Sequence, residues 1–151
     1  MRSLCLTAFG FALVTGSTLL SGCSGDIPSS ISGTLSIRSP ADKAIVSLPA
    51  DKKISVTFDT NYVLKDPGTC GGQSGCGSVY LLVDGTACNA PGKAWNANAT
   101  SSPTSVDLAL CNTAVGVHTI SAELHQDGGT FVENSVTKDP VTSSVTVTVQ
   151  Q

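Results

Sequence analysis

Lys52-Lys53-Ile54-Ser55-Val56-Thr57-Phe58-Asp59 alternates without a break, with Ile54, Val56 and Phe58 on one side and Lys53, Ser55 and Thr57 on the other. Successive side chains of an extended chain point to opposite faces, so this period of two marks a strand with one buried side. The same period recurs around it. Upstream, Gly33–Arg38 places Leu35 and Ile37 together, and after Ser39-Pro40-Ala41-Asp42 the segment Lys43–Leu48 continues as an edge. Downstream, Ser78–Val83 sets Val79, Leu81 and Val83 against Tyr80 and Leu82, and Thr104–Leu110 turns Val106, Leu108 and Leu110 inward. Val117–His125 presents His118, Ile120, Ala122 and Leu124 on one face. Val141–Gln150 closes the series, with Val145, Val147 and Val149 alternating with Thr146 and Thr148.

About seven short strands with turn signals between them and no helical period predict an all-β, immunoglobulin-like antiparallel sandwich. Composition agrees. Only 13% of the 151 residues are charged and 5% aromatic, while Thr, Ser, Val and Gly abound, which favours strands over helices. The net charge is −3. An acidic chain without clustered Lys or Arg lacks the electrostatic footprint of nucleic-acid binding.

Between these strands lie two long loops. Asn61 to Gly77 carries Pro67, five glycines and the pair Cys70 and Cys76; Cys88 to Pro103 carries Trp95, Asn96 and Asn98. A loop of that length in a compact domain is usually functional or stapled. Asp84-Gly85 signals a tight turn, and Gln126-Asp127-Gly128-Gly129 a second, followed by the ragged stretch 130–140.

The N-terminus resembles a bacterial lipoprotein signal peptide. Arg2 supplies a positive charge, and Leu4 to Leu20 is apolar but shorter than the ~20 residues a membrane span needs. Leu20-Ser21-Gly22-Cys23 then matches the lipobox, in which the Cys is acylated and becomes the first mature residue. An ordinary secretory signal cut elsewhere, or an uncleaved anchor, is the alternative. The resemblance implies removal of residues 1–22, with Arg2, leaving 129 residues and a net charge of −4. It implies a partner too: the lipid bilayer, entered by acyl chains worth ~0.8 kcal/mol per buried CH₂. Ser24 matches the family's outer-membrane sorting pattern. The implied organisation is a signal peptide over 1–22, an acylated Cys and linker over 23–33, and one sandwich domain over 34–151. The linker reaches about 33 Å fully stretched and ~17–19 Å as a coil.

The six cysteines then divide by position. Cys5 leaves with the signal peptide and Cys23 takes lipid, so Cys70, Cys76, Cys88 and Cys111 remain in an oxidising compartment. Three pairings are open. The expected one joins Cys70 to Cys76 across a Gly-Gly-Gln-Ser-Gly loop and Cys88 to Cys111 between two later segments. Zinc is the alternative use of these thiols, although no C-x₂-C pair exists.

Two further likenesses concern the domain. Leu110 to His118 resembles the corner before strand F of immunoglobulin-like domains, where His118 stands at the site of a Tyr that hydrogen-bonds back to the chain. The Val-Thr-Val-Thr-Val run ending at Val149 is similar to the last strand of bacterial Ig-like and fibronectin type III-like surface domains. Gly77-Ser78-Val79-Tyr80-Leu81-Leu82-Val83-Asp84 and Gly116-Val117-His118-Thr119-Ile120 resemble two segments of a periplasmic DUF4399-like family. That family's three strand histidines are absent here, so no site carries over from them.

No catalytic set emerges. Gly72-Gln73-Ser74-Gly75-Cys76 has only the outline of a nucleophile elbow, without strand, turn and helix around it. His118 and His125 fall on opposite faces of one strand and cannot share a metal from it. Asp59, Asp66, Asp84, Asp127 and Asp139 sit near strand ends, where calcium or plain turn formation is the choice. No cofactor is expected, and the reading is non-catalytic. The protein is expected to be a membrane-anchored envelope lipoprotein of the outer membrane, whose domain is a binding or structural surface module with an envelope protein or glycan as partner. An exposed apolar patch on the Tyr80/Leu82 face would favour a protein. The alternative is a periplasmic small-ligand or carbohydrate-binding module using loops 61–77 and 86–103, with Trp95 and Tyr80 as binding residues.

Overall fold

The computed structural model describes residues 32–151. The lipobox, Cys23 and most of the linker lie outside the described residues. The strands are β1 (Leu35–Ser39), β2 (Ala44–Ser47), β3 (Lys53–Thr60), β4 (Val63–Leu64), β5 (Cys76–Val83), β6 (Ala97–Ala99), β7 (Thr104–Asp107), β8 (Gly116–Gln126) and β9 (Thr142–Gln150), with one 3-10 turn at Leu108–Leu110. They form two sheets: β1-β3-β7, and β2-β9-β8-β5-β4 with β6 beside β5. The protein is an all-β immunoglobulin-like sandwich. No helix among the described residues is long and apolar enough to cross a membrane.

The alternation read from the sequence makes the core. Ile54, Val56 and Phe58 of β3 and Val106 of β7 face Val79, Leu81 and Val83 of β5, Ile120, Ala122 and Leu124 of β8, and Val145, Val147 and Val149 of β9, all buried. Burying each Val, Leu, Ile or Phe side chain among them is worth roughly 1.5–3 kcal/mol. Leu108 is also buried, but from the 3-10 turn into which β7 tightens, capped by Asp107 Oδ1 accepting from Ala109 N. That turn leaves Leu110 only half-buried.

Three expectations are corrected. The sandwich is not purely antiparallel, because β2 runs parallel to β9 and β4 parallel to β5. Both follow from chain path. After β1 the chain bends at Pro40 and crosses to the second sheet without reversing direction, so β2 meets β9 running the same way. Parallel neighbours need a crossover between them, and the loop 65–75 supplies it for β4 and β5. Strand β5 begins at Cys76 rather than Ser78, and the expected loops 61–77 and 88–103 contain β4 and β6. Nine strands therefore stand where about seven were expected.

Gly77 carries a steric constraint inside β5. A Cβ there would overlap the backbone carbonyl of His125 on β8, so only Gly allows the two strands to come this close. The stretch 130–140 is tied in by bridges His125–Phe131 and Glu133–Pro140. Val132 is buried there, donating from its N–H to the Leu124 carbonyl and accepting from Val141 N–H.

Both expected disulfides are formed: Cys70–Cys76, and Cys88–Cys111, which ties the segment after β5 to the exit of the 3-10 turn. The second therefore bridges the two sheets.

Candidate functional site

Ser78, Tyr80 and Leu82 project from the outer face of β5, and in a two-layer sandwich that face would ordinarily meet water. Here it is covered. The segment after Cys88 folds back to form β6, whose Asn98 pairs with Tyr80, and this lays Trp95 on the Tyr80 ring at a centroid distance of 4.2 Å. From the other side His125 of β8 stacks on Tyr80 at 4.0 Å, and Phe131 continues the row at 4.5 Å from His125. Four rings thus form a ladder across the sheet, ended at Trp95 by Lys93 Nζ, 5.6 Å from the ring centre. His125 is held by its Nδ1 donating to the Gly129 carbonyl at 2.9 Å, with Nε2 3.2 Å from Glu123 Oε2.

The structure therefore brings together the two residues singled out for binding, and adds His125 and Phe131, which sequence reasoning missed. It also removes Tyr80 as a contact. Tyr80 and Leu82 are each 7% exposed, so that face carries no exposed apolar patch of the kind that would favour a protein partner. Sugar stacking needs a free ring face, and the inner faces of this ladder are occupied by neighbouring rings. Trp95 is half-buried and Phe131 is 41% exposed; these are the ladder's accessible ends.

The loops 61–77 and 86–103 do not converge either. They leave opposite ends of the eight-residue β5, roughly 25 Å apart at about 3.3 Å per residue. Three clefts cluster at the end of the sandwich where β5 begins, and none is lined by a residue of 86–103. The first, about 360 Å³, lies among Tyr62, Phe131, Glu133 and Lys138; the second, about 310 Å³, lies among Tyr62, Ser74, Gln126 and Asp127. No histidine lines that cleft beside Ser74.

Tyr62 borders both clefts, and burial raises its phenol pKa above the ordinary 10.0. The folded chain then holds the phenol proton more tightly than the unfolded chain. The associated stability is intact below pH 10 and is lost as the pH climbs above it. Urea midpoints should accordingly fall more steeply above pH 10 for the native chain than for Tyr62→Phe; parallel curves would sink this.

At the opposite end sits a corner lock. Asp84 adopts a φ of 52° and receives Thr119 N–H on Oδ1 at 2.8 Å and His118 Nδ1 on Oδ2 at 2.7 Å. His118 is 3% exposed. The corner bond foreseen for His118 is thus present, but it runs to a side chain rather than to the backbone. Its Nε2 has no hydrogen-bond partner. The adjoining loop is pinned by Asn96, which donates to the carbonyls of Cys88 and Asp107 and accepts from Asp107 N–H.

The five aspartates considered for calcium do not gather. Asp59 pairs with Arg38 at 2.6 Å, Asp127 caps Cys70 N–H, and Asp84 serves the corner. Among the described residues, the one compact set of three metal-type ligand atoms is Asp84 with Cys88 and Cys111. Both sulfurs are already bonded to each other.

No family model and no curated protein matches the sequence, so the likeness to the periplasmic family rests on its two quoted segments alone. Among solved structures, the chain is similar to the fibronectin(III)-like modules of Clostridium thermocellum CbhA, at 15% identity and a TM-score of 0.44, covering 78% of this chain and 98% of that one. It is also similar to the PKD domain of human KIAA0319, at 14% identity and a TM-score of 0.40, covering 89% and 92%.

Proposed function

We propose that this is an envelope lipoprotein, held in the outer membrane through acylated Cys23, whose sandwich is a non-catalytic structural or binding module. One observation carries the non-catalytic part. The buried polar side chains His118, His125 and Asn96 are each engaged in holding strands, rings or loops together. A catalytic centre instead needs a nucleophile or base aimed into an open site. The anchoring part is supported by the Leu20-Ser21-Gly22-Cys23 sequence and by the position of Ser32. That residue is hydrogen-bonded by Asn61 at one end of the sandwich, only nine positions after Cys23.

The expected result is direct. Protein extracted from membranes should begin at Cys23 and carry acyl mass, and Cys23→Ser should move it from the membrane to the soluble fraction. A mature chain beginning elsewhere, or a Cys23→Ser protein that stays in the membrane, would refute the anchor.

A further inference from the structure

We propose that the end of the sandwich bearing the loops 61–77 and 126–140 is the face set against the lipid bilayer, with Val136 and Phe131 entering its interface. This rests on the anchoring reading above and adds to it an orientation and a contact surface.

The first argument is reach. Ser32 lines the cleft formed with Phe131, Glu133 and Lys138, and Asn61 fastens this entry segment by accepting from Thr34 N–H and donating to the Ser32 carbonyl, both at 2.8 Å. The chain therefore enters the domain at that end. From Cys23 to Ser32 even a fully extended chain spans only about 30 Å. The eleven-residue β8 runs the length of the domain, roughly 36 Å. A linker this short cannot run back along the sandwich and still bring the far end, at Val83 and Gly116, down to the anchor. The near end faces the bilayer by default of length.

The second argument is what that end displays. Val136 is 85% exposed, the most exposed large apolar side chain among the described residues. It is held outward by a turn in which Asn134 Oδ1 accepts from Val136 and Thr137 N–H, and Asn134 N–H donates to the Asp139 carbonyl. Phe131 packs against His125 and is 41% exposed. The charges here are Lys65 and Lys138 against Asp66, Asp127, Glu133 and Asp139. Attraction to anionic headgroups is therefore not the driving force, and apolar insertion is. The contact should be insensitive to salt.

The test uses the acylated full chain in phosphatidylethanolamine vesicles whose acyl chains carry bromine, with Val136→Trp read as a difference from the unsubstituted protein and its single Trp95. The introduced indole should shift its emission to the blue, lose quenching by aqueous iodide and gain quenching by the brominated chains. Val117→Trp, at a 68% exposed position of the far end, should remain open to iodide. Equal iodide quenching at both positions on vesicle-bound protein would overturn the orientation while leaving the anchor intact. Failure of the chain to associate with vesicles at all would overturn the anchor and this proposal with it.

Discussion

Replacing Cys88 and Cys111 together by Ala should lower the stability of the domain by about 3.4 kcal/mol, the chain-entropy value for a 24-residue loop. For a domain of this size that corresponds to roughly 10–15 °C in melting temperature. The bond closes a loop holding β6, β7 and the 3-10 turn, and it spans the two sheets. Without it the unfolded chain gains freedom in the region where the folded chain has most to order. The variant should still fold, because Asn96 independently ties Cys88 to Asp107 by three hydrogen bonds. Opening Cys70–Cys76 should cost less, about 2.4 kcal/mol for its 7-residue loop. Guanidinium unfolding of both double variants checks the order. A larger loss at Cys70 and Cys76 would show that the chain-entropy account fails and that native contacts of the 65–75 loop dominate.

The elements legible from the sequence are those whose burial is decided locally. Ile54, Val56 and Phe58 could be read inward because a half-buried strand repeats its pattern within a few residues, and β8 and β9 are readable for the same reason. The parity of His118 with Ile120 and Leu124 likewise told that it faces the core. What could not be read is set by pairing between distant segments. The four residues of β2 lie parallel to β9 because of where the chain crosses between sheets, and nothing in Ala44–Ser47 encodes that direction. The ladder is the clearest case. Parity placed Tyr80 and Leu82 on an outer face, which in an isolated strand would be wet. That face became buried because the segment after Cys88 folds back over it and Phe131 arrives from beyond the 126–129 turn. A signal did exist: His125 shares the outer face of β8, one diagonal from Tyr80 across the strand pair, and aromatic neighbours at that spacing meet.

Asp84→Ala should be the most damaging single change at the corner, at about 3 kcal/mol, and its effect should depend on His118. Two costs combine. The Nδ1 of His118, buried at 3% exposure, would lose its acceptor, and an unsatisfied buried donor costs about 1–3 kcal/mol. The backbone at φ 52° would then be borne by a residue with no side-chain oxygen to favour it, a further ~1 kcal/mol. Thr119 N–H also loses the Oδ1 it donates to, although the Asp84 N–H to Thr119 carbonyl bond, at 2.9 Å, remains. Asp84→Asn keeps both the left-handed tolerance and an oxygen for Thr119, so it should be milder than Ala. His118→Ala alone should cost about 1–3 kcal/mol. The pair in one chain should be less destabilised than the two separate losses added, since once His118 is gone Asp84 has no buried donor to satisfy. A coupling on the order of 1–2 kcal/mol in a double-mutant cycle measured by chemical unfolding is the expected value. Retention in the membrane through Cys23 should be the same for all four proteins, as this lock lies at the end away from the linker. Strict additivity of the two substitutions would mean that the 2.7 Å bond adds nothing to folding, and the corner would then have to be held by the β5–β8 backbone pairing alone.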